Sequence, residues 1–256
     1  MIFSIINQKG GVGKTTTALN LAYGLAQEDY KVLMIDADAQ SNLTQSIGYD
    51  TDVKPNLYTL FKDIAEKETP DTQAAIIQQD GPHLLPASPA LKNAALEFSG
   101  VPRRENMLKK ILKPIEDDYD LIIIDCPPAF GFTVQNIITV SDQVIIPVLA
   151  EALPVKGIDL LIQSIQEFAE EMEKEISIGG ILFCQYNTDT RTILSRDLYD
   201  GVKDAHAEII FNTTIRRNIS LSEAQLMGQP VYEYAPESNG AKDYKAFTKE
   251  FIERFT

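Results

Sequence analysis

The sequence is poor in the residues that staple small folds or hold metals. Its 256 residues include two cysteines, Cys126 and Cys184, and two histidines, His83 and His206. A zinc site wants about four Cys or His ligands at close spacing, and a disulfide framework needs several paired cysteines, so neither is expected. Each cysteine sits in an apolar run that reads as a buried strand or its end, and neither histidine has partner spacing for a metal or a nucleophile. Long apolar runs are also missing. Residues 121–124 and 144–149 fall well short of the roughly 18 residues a membrane span requires, and nothing at the start resembles a signal peptide, so the expected address is the cytoplasm. The 14 glycines and 13 prolines are scattered, with 44% apolar and 23% charged residues, a balance that fits a globular chain and not a disordered or fibrous one. Positive charge is the last deficit: 23 basic residues face 37 acidic ones, a net charge of −14. That argues against a protein that coats nucleic acid. The acidity is uneven, so any anionic partner is expected at the C-terminal third, from Tyr186 onward.

What the chain does have is regular alternation. Residues 2–7 form an apolar run, a glycine-rich turn follows, and residues 14–27 carry Leu19, Leu21, Ala22 and Leu25 at helical spacing. A second apolar run, 31–36, follows within a few residues, so the opening unit is a βαβ crossover in a parallel sheet. Further strands are predicted at 83–86, 120–125, 143–148, 178–184 and 208–211, and helices at 104–115, 155–173, 193–205 and 242–255. The expectation is one α/β domain over 1–256, a P-loop NTPase fold with a doubly wound, mostly parallel sheet and helices on both faces. Residues 48–79, with Pro55 and Pro70, are expected to form a small helical excursion near the site.

The chemistry concentrates in Lys9-Gly-Gly-Val-Gly-Lys-Thr-Thr16. Gly10, Gly11 and Gly13, with Val12 between them, let backbone N–H groups turn inward around a polyphosphate at a helix N-terminus. Lys14 can reach the β- and γ-phosphates, and the hydroxyl of Thr15 can ligate Mg²⁺. The usual P-loop pattern is met from Gly13 onward, but Gln8 stands where its first glycine would be. Asp36, Asp38 and Asp125 come from the carboxyl ends of two strands, the edge where ligands bind in an open parallel sheet. One carboxylate there can hold Mg²⁺ and another can position water. Cys126-Pro-Pro128 makes the chain leave the sheet stiffly.

The lysine before the paired glycines, Asp36-Ala-Asp-Ala-Gln40 and Asp125-Cys-Pro-Pro128 together resemble the deviant Walker A ATPases, specifically the ParA/Soj partitioning branch. Residues 186–195 and 215–228 are similar to further segments of that branch, so the likeness runs nearly end to end. It implies an ATPase that uses ATP and Mg²⁺ and forms a nucleotide-dependent sandwich homodimer. Lys14 and Thr16 would bind phosphates within the subunit and Lys9 would reach the partner's ATP. Thr15, Asp36 and Asp125 would serve the metal, Asp38 would orient the hydrolytic water, and Arg216 and Asn218 would border the adenine. Ala39 replaces the family's usual proline, and Arg216-Arg-Asn-Ile-Ser220 departs from its Pro-Arg-Asn-Val-Arg. The first strand begins at about residue 2, leaving no helix-turn-helix region ahead of it, so operator-specific autorepression is not expected.

The resemblance further implies sequence-independent DNA binding and a ParB-type centromere-binding partner, with nucleoid association in the ATP state. Arg191, Arg216 and Arg217 are the candidate DNA contacts. A membrane-surface protein similar to MinD is the alternative, and a metabolic P-loop enzyme a third class. Tyr244, Phe247, Phe251 and Phe255, beside Asp243, Glu250 and Glu253, suit a helix docked on its own core better than one lying on lipid, so no stable membrane association is expected.

Overall fold

Six strands buried on both faces form the centre of the molecule, a computed structural model that describes residues 1–150, 155–186 and 193–256. In chain order the elements are β1 (Ile2–Ile5), α1 (Lys14–Gln27), β2 (Val32–Asp36), α2 (Asn42–Gln45), α3 (Leu57–Ala65), α4 (Thr72–Ala75) and β3 (His83–Leu85). Next come α5 (Ala94–Glu97), α6 (Met107–Leu112), β4 (Leu121–Asp125), α7 (Phe132–Val140), β5 (Gln143–Leu149) and α8 (Val155–Glu171). The chain closes with β6 (Ser177–Cys184), α9 (Ile193–Ala205), α10 (Ile219–Leu226), α11 (Val231–Tyr234) and α12 (Asn239–Phe255).

The strands pair in parallel in the order β3-β2-β4-β1-β5-β6. From β1 the chain crosses to β2 and on to β3 at one edge, returns to insert β4 between β2 and β1, and then reaches the other edge through β5 and β6. The carboxyl end of β1 is therefore a topological switch point, where a crevice opens for a ligand. Side chains alternate across β1: Phe3 and Ile5 join Leu19, Leu221 and Phe247 on one face, while Ile2 joins Phe61, Met107 and Ile137 on the other. This is the doubly wound α/β P-loop architecture expected from the alternating pattern.

Helix α12 belongs to the first of those faces. Tyr244, Phe247 and Phe251 are buried, and Phe251 and Phe255 pack on Phe3 with ring centroids 4.6 and 4.9 Å away. Its aromatic spacing is used to cover the sheet. Among the described residues no helix is long and apolar enough to cross a membrane.

Two expectations need correction. Residues 208–211 make no regular strand, only an isolated parallel bridge to β6 at Ile181–Ile210, with a second at Cys184–Ile215 farther along. The reason is local: the next two backbone N–H groups, of Asn212 and Thr213, donate to the Glu250 carboxylate at 2.7 and 2.8 Å, so the ladder is interrupted. Residues 48–79 are indeed partly helical, with a reciprocal Asn56–Thr59 capping box starting α3. However, α3 packs Phe61 on Phe98 and Phe132, and no residue of 48–79 lines the groove described below.

Candidate functional site

The loop between β1 and α1 is pinned at its start and free to turn in its middle. Asn7 is buried, donates through Nδ2 to the Pro147 carbonyl at 2.8 Å, and accepts from the Lys9 N–H at 2.9 Å. Gly11 and Gly13 adopt φ of 75° and 96°, which a side chain would strain, and a Cβ on Gly13 would lie 3.3 Å from Cys184 Sγ. The first bond of α1 runs from Thr17 N–H to the Gly13 carbonyl, so the N–H groups of Lys14, Thr15 and Thr16 have no partner within the helix. They make an anion-facing helix end. Lys14 is buried and donates from Nζ to the Lys9 carbonyl at 3.3 Å, which brings the ammonium back over the loop.

Opposite the loop stand the carboxylates. Asp36 and Asp125 end β2 and β4 in register with each other, so they lie side by side on adjacent strands, both buried. Thr15 donates to Asp125 Oδ2 at 2.6 Å, while Asp125 Oδ1 is buried with no partner. Burial, reinforced by the neighbouring Asp36 charge, holds the Asp125 carboxyl well above the usual carboxylate range. Asp36 has its oxygens occupied. Oδ2 accepts from the Thr44 N–H and hydroxyl at 2.8 and 2.7 Å, and Oδ1 accepts from the Asp38 N–H at 3.2 Å. Burial pushes its pKa up to about 6 despite these donors. Besides its expected place beside the metal, Asp36 secures through these bonds the loop that carries Asp38. Asp38 itself is half-buried, accepts from the Gln40 N–H at 2.9 Å, and faces a groove of about 720 Å³ that Lys14, Thr15, Asn42, Pro128 and Gln225 also line.

That groove continues past Gly13, Thr16, Gln185 and Ser222 into a cavity of about 340 Å³. Its walls include Cys184, Ile215, Leu221 and Tyr244, with Arg216, Arg217 and Asn218 at the edge. The size and mixed lining suit a planar heterocycle. Asn218 caps α10, accepting from the Ser220 N–H at 2.9 Å through Oδ1. Burial pushes the Cys184 thiol up to about 12, so it serves as apolar wall. Beneath it Thr17 meets the Tyr244 hydroxyl at 3.1 Å, joining the loop helix to α12.

The sequence-predicted residues therefore separate into groups. Gly10, Gly11, Gly13, Lys14, Thr15, Thr16 and Asp38 line one groove, and Asp125 joins it through Thr15. Val12 is buried, and Lys9 is exposed and does not line the groove. Arg216 and Asn218 border the second cavity, but the Arg216 guanidinium forks onto Asp243, with Nη2 to Oδ1 at 2.6 Å and Nε to Oδ2 at 3.0 Å. Its charge is already met as a prospective DNA contact. Arg217 is exposed. Arg191, and most of 186–195, lie outside the described residues. Sequence reasoning missed Asn7, Gln185, Ser222, Gln225 and Tyr244, which reach the site from distant elements with no motif to mark them.

Comparison with known proteins agrees with this geometry. Residues 1–178 match the family described as AAA domain. Over 249 residues the chain is 35% identical to the chromosome-partitioning ATPase Soj of Treponema pallidum (strain Nichols), covering 97% of this chain and 96% of that one. It is 33% identical over 259 residues to the chromosome partitioning protein ParA of Myxococcus xanthus (strain DK1622), covering 100% and 89%. Among solved structures, a variant of Cyanothece McdA in complex with ATP superposes with a TM-score of 0.81 at 28% identity, covering 100% of this chain and 97% of that one. Cobyrinic acid a,c-diamide synthase from Mycobacterium smegmatis, solved with an ATP analog and magnesium, gives 0.82 at 28% identity, covering 100% and 95%. A glycine loop aimed at two strand-end carboxylates, together with these full-length likenesses, places the conclusion beyond the motif alone: the chain belongs to the ParA/Soj family of deviant Walker A ATPases.

Proposed function

We propose that this protein hydrolyses ATP with Mg²⁺, dimerises in the ATP state, binds DNA without regard to sequence, and partitions a plasmid or chromosome together with a ParB-type centromere-binding protein. The carrying observation is the meeting of Lys14 and the Thr15–Asp125 pair with Asp38 in one groove that opens into a base-sized cavity.

The donor set fits a hard divalent cation, because a hydroxyl and a carboxylate with one unpartnered buried oxygen stand together at the phosphate end. Thr15 would hold the ion directly and Asp125 through water, and the ion would supply charge neutralisation at the phosphate oxygens. Lys14 and the N–H groups at the start of α1 bind the phosphates. Asp38 orients the attacking water, and Asp36 keeps the Asp38 loop in place. Lys9, exposed and outside the groove of a loop whose own cradle is complete, reaches the nucleotide of a second copy. Arg216 and Asn218 border the adenine, and Arg217 and Arg191 supply DNA contacts. Docking of α12 on the sheet supports DNA over a membrane surface as the second ligand.

The test is retention of non-specific duplex DNA, read alongside size-exclusion chromatography, with ATP, ADP or no nucleotide. The expected result is dimerisation and DNA retention with ATP only, at a cytoplasmic salt concentration. A monomer in all three conditions would refute the dimer, and a dimer that never retains DNA would refute nucleoid association.

A further inference from the structure

The densest run of positive charge in the sequence lies outside the C-terminal third. Residues 102–113 read Pro-Arg-Arg-Glu-Asn-Met-Leu-Lys-Lys-Ile-Leu-Lys, with Glu105 as their one acid in a chain of net charge −14. Helix α6 explains the layout: Met107, Leu108, Ile111 and Leu112 are buried in the core, which turns Lys109, Lys110 and Lys113 outward. Lys109 and Lys113 are one turn apart, about 6 Å of helix rise. With Arg103, Asn106 and Pro102 they border a surface cavity of about 460 Å³ that shares no residue with the nucleotide groove. Arg104 is used structurally, bonding the Ala95 carbonyl at 2.9 Å and lying over Phe132. Glu105 accepts from the Asn106 amide. Among the described residues no ion pair neutralises Arg103, Lys109, Lys110 or Lys113.

In the C-terminal third Arg196, Arg217, Lys245 and Lys249 also lack an ion pair among the described residues, but they are spread over α9, α12 and the segment before α10, and the other cations there are engaged. Arg216 forks onto Asp243, Lys242 meets Glu237 at 3.3 Å, Arg254 meets Glu250 at 3.9 Å, and Lys203 lies over the Tyr199 ring. Resting on the DNA-binding reading above, we propose that the 103–113 face is a contact surface for the nucleic-acid phosphate backbone. Phosphate contacts need only mobile cations and carry no sequence information. A protein partner would want an aromatic or aliphatic anchor at the centre of the patch, and Pro102 is the only apolar residue bordering it.

The experiment compares wild type, a Lys109→Gln/Lys110→Gln/Lys113→Gln variant and Arg217→Glu for retention of non-specific duplex DNA with ATP and Mg²⁺ across a salt series. Each phosphate contact contributes about 0.9 to the log–log salt slope. The triple variant is expected to flatten the slope by about 2 to 3 for each engaged subunit, with ATP-dependent dimerisation and DNA-free ATPase activity unchanged. Unchanged retention and slope in the triple variant, with loss in Arg217→Glu, would overturn this surface and leave the DNA reading standing. Failure of wild type to retain DNA at about 50 mM salt would sink both. A triple variant that keeps DNA but loses binding to a poly-glutamate peptide would reassign the face to an acidic protein and overturn the proposal.

Discussion

Thr15 donates its hydroxyl to Oδ2 of Asp125 across 2.6 Å, tying the first turn of α1 to the carboxyl end of β4. Only two strands of the sheet end in a buried carboxylate, Asp36 of β2 and Asp125 of β4, and they are neighbours. One is enclosed by donors from its own loop, and the other keeps an oxygen unpartnered. That asymmetry divides the pair into a loop anchor and a candidate metal partner.

The pair should make stability depend on pH. An acid whose pKa is higher in the folded state than in the unfolded state holds its proton longer when folded. Stability therefore falls as pH rises through the interval between the two values. For Asp36 that interval runs from the ordinary 3.8 to about 6, and Asp125 is shifted the same way by burial and by Asp36. Asp125→Asn removes the neighbouring charge. The urea midpoint of the nucleotide-free variant, measured relative to wild type, should move in the variant's favour as pH rises from about 4 to 7. A pH-independent difference would show that the two carboxylates do not interact.

Lys14→Ala should abolish nucleotide binding. The side chain brings the one buried cation of the loop to the place where β- and γ-phosphates collect charge. Calorimetric titration checks this, and an ATP affinity near wild type would mean that the loop is not a phosphate cradle.

Asp38→Ala should bind ATP and hydrolyse it poorly, because water orientation matters in the transition state more than in the ground state. Asp38 lines the phosphate groove while its own N–H is held by Asp36, so the loop should survive the substitution. The dimer should then persist in ATP. A variant that stays monomeric under conditions where wild type dimerises would contradict the role.

Gly24→Ala tests the packing behind the site. A Cβ there would run into the Thr248 side chain and lie 2.8 Å from the Tyr232 hydroxyl, so α1 and α12 would have to move apart. Overpacking of this kind costs about 1 to 3 kcal/mol. The unfolding midpoint in urea should fall with little change in the denaturant dependence.

How much of this was legible in the sequence follows from whether each feature is local. The glycine loop, the first βαβ unit and the strand ending in Asp125 are contiguous, and uninterrupted apolar runs mark strands covered on both faces. The insertion of β4 between β1 and β2 depends on pairing between segments some 90 to 120 residues apart, on which spacing is silent. Helix α7 was not anticipated, because Thr133, Val134, Ile137, Ile138, Thr139 and Val140 are β-branched and poor helix formers. Tertiary contacts settle it: Asn136 accepts from the Leu108 N–H and donates to the Arg104 carbonyl. The cavity beside Asn218 needs Tyr244 and Cys184 brought together by folding, and the Arg216–Asp243 pair spans 27 residues. Charge counting along the chain cannot see such pairs.

Lys9→Ala is the sharpest test of a shared active site. The Lys9 backbone is held from both sides, its N–H by Asn7 and its carbonyl by Lys14, while the residue remains exposed. The side chain is therefore available outside a loop that needs no second cation of its own. ATP binding should survive its removal, and dimerisation and turnover should be lost. A cation delivered in trans is typically worth about 10³ to 10⁵ in rate, or roughly 4 to 7 kcal/mol. Mixing Lys9→Ala with Asp38→Ala subunits discriminates further. In the mixed dimer the nucleotide on the Lys9→Ala subunit meets an intact Asp38 at home and an intact Lys9 from its partner, so up to half of the sites should regain turnover. Full activity of Lys9→Ala on its own would exclude any role across the interface, and a mixture as inactive as its components would exclude the assignment of these two residues to one shared site.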